Sequence, residues 1–470
     1  MKSLLEKLKQ YSRTYMPMHM PGHKRNVSMA GYLKSLGAEI DITEVQGFDN
    51  LQNPEGVLKE SMEMAAQYFG AKRSFYLVNG STVGILAGVF ALTGEGDTVL
   101  IARNCHMSVF NAVTLRKLNA SFVEPEYIPE YNIAGSLTPK AVKDALLKNP
   151  DIRLVIVTSP SYEGVISDVK GIADVVHSFG ASILVDEAHG AHLYGNGVFS
   201  GGAVSAGADI VVQSLHKTLP SLTQTAIAHV KDERFVKCFA NWLNVFQTSS
   251  PSYILLSSID GCIRILIKEG EKQFKIWQEA LNSFEDKIRP LKHLQVLCRK
   301  ELSSGIYMYD KSKILISTAK SDISGYNLYE RLREDFYIEA EMVSHSLCLC
   351  MTGMGDSERS LLKLASALVE IDAEIGENIK NPQAIKLPRI SMRIAPYKAL
   401  GYPHKEIALD NSKGKTCAET IYAYPPGVPI AIPGSIITED VIDAIKASEL
   451  SGCKLQYSKT SKAKSITICL

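Results

Sequence analysis

The chain has 470 residues, 46% of them hydrophobic and 21% charged, with a formal net charge of +1. These values fit a globular protein of two or three domains and give no electrostatic case for nucleic acid or anionic lipid as a partner. No apolar run reaches the roughly 18 residues of a membrane span. The nine cysteines are scattered without a paired C-x-x-C, which argues against a zinc site or disulfide framework and for a reducing, cytoplasmic setting.

In chain order, 'MKSLLEKLKQYS' sets leucines 4, 5 and 8 among charges and predicts a short amphipathic helix, not a signal peptide. From about residue 75 to 230, strand-like and helix-like segments alternate. 'FYLVNG' (75–80) reads as a strand and turn, 'TVGILAGVFAL' (82–92) as a helix, 'DTVLIAR' (97–103) as a strand and 'HMSVFNAVTLRKL' (106–118) as a helix. 'ASFVEPEY' (120–127) is a short strand; 'TPKAVKDALLKN' (138–149) is a helix with Thr138 at its N-cap and Pro139 in its first turn. 'RLVIVTSP' (153–160), 'SILVDEAHG' (182–190) and 'DIVVQSLHK' (209–217) are buried strands, and 'IADVVHSFG' (172–180) is a helix closed by Gly180. This alternation predicts a parallel sheet flanked by helices, with ligands beyond the C-terminal strand ends.

After residue 250 the texture changes. Residues 253–288 read as one long helix, 291–375 as short strands with helices such as 357–375, and 378–390 as a linker. The tail is dense in Pro and Gly around 'YAYPPGVPIAIPG' (422–434). Four segments are expected: 1–45 at the N-terminus, a large domain 46–280, a small α+β domain 281–377 and a C-terminal domain 378–470.

The chemistry-bearing residues gather at the expected strand ends. Lys217 follows an apolar strand, where a lysine serves as a nucleophile if it forms a Schiff base with an aldehyde cofactor. Pyridoxal 5'-phosphate is the candidate, and it needs a lysine, a carboxylate for its pyridine nitrogen and a phosphate cup. Asp186 fits the carboxylate. 'NGST' (79–82) fits the cup, with Gly80 in a tight turn and Ser81 and Thr82 opening a helix whose amides attract anions. Ser214 and His216 flank the lysine, and His106 could stack on the ring. Read singly, each residue has an ordinary role: Asp186 as a turn residue, Ser81 and Thr82 as a helix start, His106 as the cap of its own helix, His189 and His192 as surface residues, and Lys217 as a snorkelling side chain. Their joint placement favours the cofactor site.

The chain resembles the Orn/Lys/Arg decarboxylase family of fold type I pyridoxal-phosphate enzymes. The resemblance rests on 'MPGHK' (20–24), 'DITEVQGFDNLQNPEG' (41–56), 'NGSTVGILA' (79–87), 'RNCHMSVFNA' (103–112), 'TSPSYEGV' (158–165), 'DEAHGAH' (186–192), 'SLHKT' (214–218), 'TSSPSY' (248–253) and 'AETIYAYPPGVPIAIPG' (418–434). It implies a transferase-like α/β large domain with a mostly parallel sheet, a smaller α+β domain and a C-terminal domain. It also implies Lys217 as the cofactor lysine, Asp186 at the pyridine nitrogen, and Ser81, Thr82, Ser214 and His216 at the phosphate. Ala188, His189 and His106 would lie near the ring, and Thr248 would reach the phosphate of a neighbouring subunit in a homodimer.

Two positions depart from the family pattern. Met107 stands where relatives carry Lys after the stacking His, and Ser435 stands where they carry Glu after 'PG'. A carboxylate is the natural partner of a basic substrate's distal cation, and Glu419 could take that role. 'MPGHK' begins at residue 20, so the receiver-like wing of the large relatives, and decamers built through it, are not expected. The expected reaction is decarboxylation of arginine, or of lysine or ornithine, to an amine that feeds polyamine metabolism. The alternatives are another fold type I reaction, such as transamination or aldol cleavage, and a weakly active regulatory homologue.

Overall fold

A computed structural model describes residues 2–470 other than 27, 30, 196, 298–303, 379–386, 425, 426, 451–453, 460, 462 and 463. Most of the expected linker 378–390 and the two prolines of 'YPPG' thus lie outside the described residues. The chain folds into two compact units, Met1–Ala91 with Glu187–Phe274, and Leu92–Asp186 with Lys275–Leu470. No helix among the described residues is long and apolar enough to cross a membrane.

In the first unit the N-terminal helix forms as expected, over Leu4–Thr14. The Ser3 hydroxyl accepts from the Glu6 amide while the Glu6 carboxylate accepts from the Ser3 amide, a closed capping box. Leu4 and Leu8 are fully buried, and the Leu4 amide donates to Asp260 Oδ2 at 2.8 Å, so a carboxylate meets the positive end of the helix. Three antiparallel strands follow: Arg73–Leu77 pairs with Ala226–Val230, which pairs with Ile210–Ser214. The last is buried at every position.

The second unit carries four parallel strands in the order Asn119–Val123, Thr98–Ala102, Ile152–Thr158, Ser182–Asp186. Helices Met107–Leu115, Pro139–Lys148 and Val169–Ser178 connect them. The Thr138 hydroxyl accepts from the Ala141 amide, so the predicted cap is made, and Asp168 caps the next helix in the same way. The fold is therefore mixed α/β with mostly parallel strands at its centre. The same unit holds a four-stranded antiparallel sheet built on Lys313–Ser317 and Leu347–Met351, with the helix Gly325–Glu334 packed on it and the helix Glu358–Glu374 beside that helix. Its C-terminal part pairs Ile421–Ala423 with Val428–Ala431 and Leu455–Tyr457, beside the helix Glu439–Leu450.

One boundary differs from the sequence reading in a way that matters. The strand expected to run to residue 217 stops at Ser214, and Leu215–Thr218 is a single helical turn. The β-branched run ends at Val212, and the Leu219 amide bonds back to the Leu215 carbonyl, closing the turn. Lys217 thus sits on a turn that re-aims its side chain relative to the strand. The strand expected over 182–190 likewise ends at Asp186.

Candidate functional site

Within the first unit, three segments bring the candidate cofactor residues to their places. The helix expected from residue 82 begins at Gly80 (φ +74°), which puts Ser81 and Thr82 in its first turn. The Gly80 amide donates to the Gln224 carbonyl at 3.0 Å, and Gln224 Nε2 donates to the Val78 carbonyl at 2.6 Å, so this turn is held from both sides. The Asn79 side chain accepts from the Thr248 amide at 3.1 Å, which joins 'NGST' to 'TSSPSY'.

The 'DEAHGAH' loop and the 'SLHKT' turn are stitched together by two histidines. Lys217 Nζ lies 2.8 Å from His189 Nε2, and His192 Nδ1 lies 3.2 Å from Thr218 Oγ1. Both histidines are buried, which removes the surface reading for either. Ala188 is buried beside them. The His216 ring donates through Nδ1 to the Thr225 carbonyl at 2.8 Å, and burial holds its pKa below the usual histidine range. Ser214 is 1% exposed, and its hydroxyl has no hydrogen-bond partner among the described residues.

Sequence reasoning missed the support behind this loop. Glu187 is fully buried and accepts from Gln213 Nε2 (2.7 Å), the Ala203 amide (2.7 Å) and the Tyr194 hydroxyl (2.9 Å). Gln213 in turn accepts from His229, whose other ring nitrogen meets Ser74 at 2.8 Å. A charged residue inside an apolar strand-loop segment was the available signal, because such groups are buried only when paired. In the same unit His23 of 'MPGHK' lies 3.4 Å from Asp41 of 'DITEVQG', joining the first two motifs.

Within the second unit, Asp186 ends its strand 4% exposed, and its carbonyl accepts from the Ser159 amide. Cys105 is buried against Thr158, and its thiol is pushed up to about 12, chiefly by burial, with the Asp186 charge adding to the rise. His106 caps the helix Met107–Leu115, its Nδ1 accepting from the Ser108 amide at 3.2 Å. The ring rests against Gly427 of 'YPPG': a Cβ there would meet His106 Cδ2 at 2.8 Å, and the Gly427 carbonyl accepts from the Met107 amide at 3.0 Å.

The two tail residues are not on the surface. Glu419 is fully buried; Oε1 accepts from the Thr467 amide at 2.6 Å, and Oε2 takes no hydrogen bond among the described residues. Ser435 is 2% exposed and donates to the Ile432 carbonyl at 2.7 Å, closing a turn.

The sequence comparison gives the family of this mixed α/β chain. Residues 2–354 match 'Orn/Lys/Arg decarboxylase, major domain' and residues 378–454 match 'Orn/Lys/Arg decarboxylase, C-terminal domain'. The chain belongs to the Orn/Lys/Arg decarboxylase family. It is 33% identical over 469 residues to the arginine decarboxylase of Bacillus subtilis, covering 98% of this chain and 96% of that one. It is 32% identical over 447 residues to the arginine decarboxylase of Halalkalibacterium halodurans, covering 93% and 91%. The lysine decarboxylase of Francisella novicida shares the fold, with a TM-score of 0.82 at 18% identity over 99% of this chain and 80% of that one.

Proposed function

We propose that this family member uses pyridoxal 5'-phosphate to remove the α-carboxylate of a basic amino acid, with arginine ahead of lysine and ornithine. Arginine leads because the two relatives above 30% identity described here are arginine decarboxylases. The single observation that carries the cofactor reading is the buried Ser214 hydroxyl, unpartnered among the described residues and next to the Lys217 turn. A buried hydroxyl left without a partner costs stability, so its presence fits a ligand that supplies the acceptor.

The bound cofactor would supply an electron sink for the pair released when the bond to the carboxylate breaks. Lys217 would hold the cofactor through its aldehyde, with its Nζ beside His189. The Asp186 carboxylate holds a proton on the pyridine nitrogen, and the buried strand end keeps water from it. His106, wedged by Gly427, would lie near the ring together with Ala188 and His189. Ser81, Thr82, Ser214 and His216 bind the phosphate, and Thr248 reaches it from a second subunit. The active unit is a homodimer in the cytoplasm, and its amine product enters polyamine metabolism. The segments 1–45, 46–280, 281–377 and 378–470 are its domains. Glu419, with one carboxylate oxygen unbonded, is the proposed reader of the substrate's distal cation, with Ser435 in the position the family gives to Glu.

The test is purified protein with added cofactor, offered arginine, lysine and ornithine in turn, with CO2, amine and keto acid measured. CO2 with stoichiometric amine is expected. Keto acid without CO2 would replace the reading with transamination.

A further inference from the structure

A cavity lies wholly within the second unit, with a volume of about 230 Å³. That is far above the ~15 Å³ needed for one water. None of the residues assigned to the cofactor lines it. Its floor is Arg103, 1% exposed. Arg103 Nε donates to the Pro388 carbonyl at 2.8 Å and Nη2 to the Ile430 carbonyl at 3.4 Å, which fixes the guanidinium plane. Nη1 is buried with no partner among the described residues.

The hydrogen bonds of this buried cation go only to neutral carbonyls, and although the nearby Glu124 carboxylate offsets part of its charge, Nη1 still lacks the acceptor that an anion would supply. The same cavity is lined by the carboxylates of Glu124, Glu126 and Glu163. Glu163 accepts from the Ser161 hydroxyl at 2.9 Å, which orients it. One cationic donor on the floor and three carboxylates around it match a small molecule with an anionic end and a cationic end.

We propose that this cavity binds a free basic amino acid, with its carboxylate on Arg103 Nη1 and its distal cation at Glu126 and Glu163. This is a site separate from the one that performs decarboxylation. An amine that has lost its carboxylate leaves Arg103 unmatched, so the site distinguishes the amino acid from its decarboxylated product.

The test uses Nα-acetyl-L-arginine and the full-length holoenzyme in isothermal titration. The acylated nitrogen cannot react with a cofactor aldehyde, so binding is read whether or not the protein decarboxylates arginine. Saturable binding is expected, weaker by about tenfold or more for N-acetylagmatine, which lacks the carboxylate, and for Nα-acetyl-L-citrulline, which lacks the side-chain charge. The double variant Glu126→Gln with Glu163→Gln should erase the preference over the citrulline compound. Arg103→Met should erase the preference over N-acetylagmatine; should that variant fail to fold, the carboxylate pair alone decides. No binding at millimolar probe, or binding that the double variant leaves unchanged, overturns the proposal.

Discussion

The contact between Gly427 and His106 gives the sharpest prediction. Gly427 has φ +78°, and a Cβ added there would lie 2.8 Å from His106 Cδ2 and 2.9 Å from Nε2. A non-glycine residue at such a φ costs about 1–2 kcal/mol. Ordinary carbon contacts begin near ~3.5 Å, so in Gly427→Ala the imidazole must retreat by roughly 0.6 Å. The ring cannot turn freely, because Nδ1 is held by the Ser108 amide and the Gly427 carbonyl is held by the Met107 amide. Displacements approaching 1 Å at a reacting centre cost on the order of a hundredfold, so a loss of about ten- to a hundredfold in kcat is expected. Gly414→Ala is the control. It has φ +73° with nothing within 4 Å of the added Cβ, so it carries the same backbone strain without touching a ring. Amine release and melting temperature are measured for both variants. Both should melt a few degrees lower, but only Gly427→Ala should lose activity. If the two variants retain equal activity, the turn does not position His106 and the reasoning fails.

Further outcomes follow from other groups. Ser214→Ala should weaken pyridoxal phosphate by about tenfold, the typical loss of a hydrogen bond to a charged acceptor, while leaving the cofactor-free protein at least as stable as before, because the unpartnered hydroxyl is gone; an unchanged dissociation constant would remove Ser214 from the phosphate site. Burial depresses the His229 pKa to about 3, so the folded protein binds fewer protons there than the unfolded chain. Stability from this group is complete above pH ~6.5 and is lost as pH falls from there toward 3, at up to ~1.36 kcal/mol per pH unit. Denaturation followed between pH 7 and 4 should be less steep in pH for His229→Gln, and equal slopes would show that the ring is not held neutral. Mixing Lys217→Ala with a Thr248→Ala protein, each inactive alone, should restore part of the activity through hybrid dimers; a fully active monomer at assay concentration would rule out the shared site.

Much of the architecture was legible because it is encoded between near neighbours. The Thr138 cap with Pro139, the β-branched run at 210–212 and the leucine spacing of the first helix each act through a few adjacent dihedrals, and each element is present, although the strand through 210–212 stops at Ser214 instead of running to 217. Residue chemistry alone also singled out Lys217, Asp186 and the 'NGST' turn, since few residue types can serve such a cofactor. What the sequence could not carry were contacts between distant segments. Ending the lysine's strand at Ser214 depended on hydrogen bonds from 'SLHKT' to Thr225 and back to Leu215. Pairing His189 and His192 with consecutive residues depended on packing one loop against that turn. Glu419, which reads in sequence as a solvated surface charge, is sealed in by Thr467, and Arg103 finds its partners on Pro388 and Ile430. Periodicity assigns a face to a residue but not the neighbour it meets there; that choice is made only when the close-packed interior is assembled.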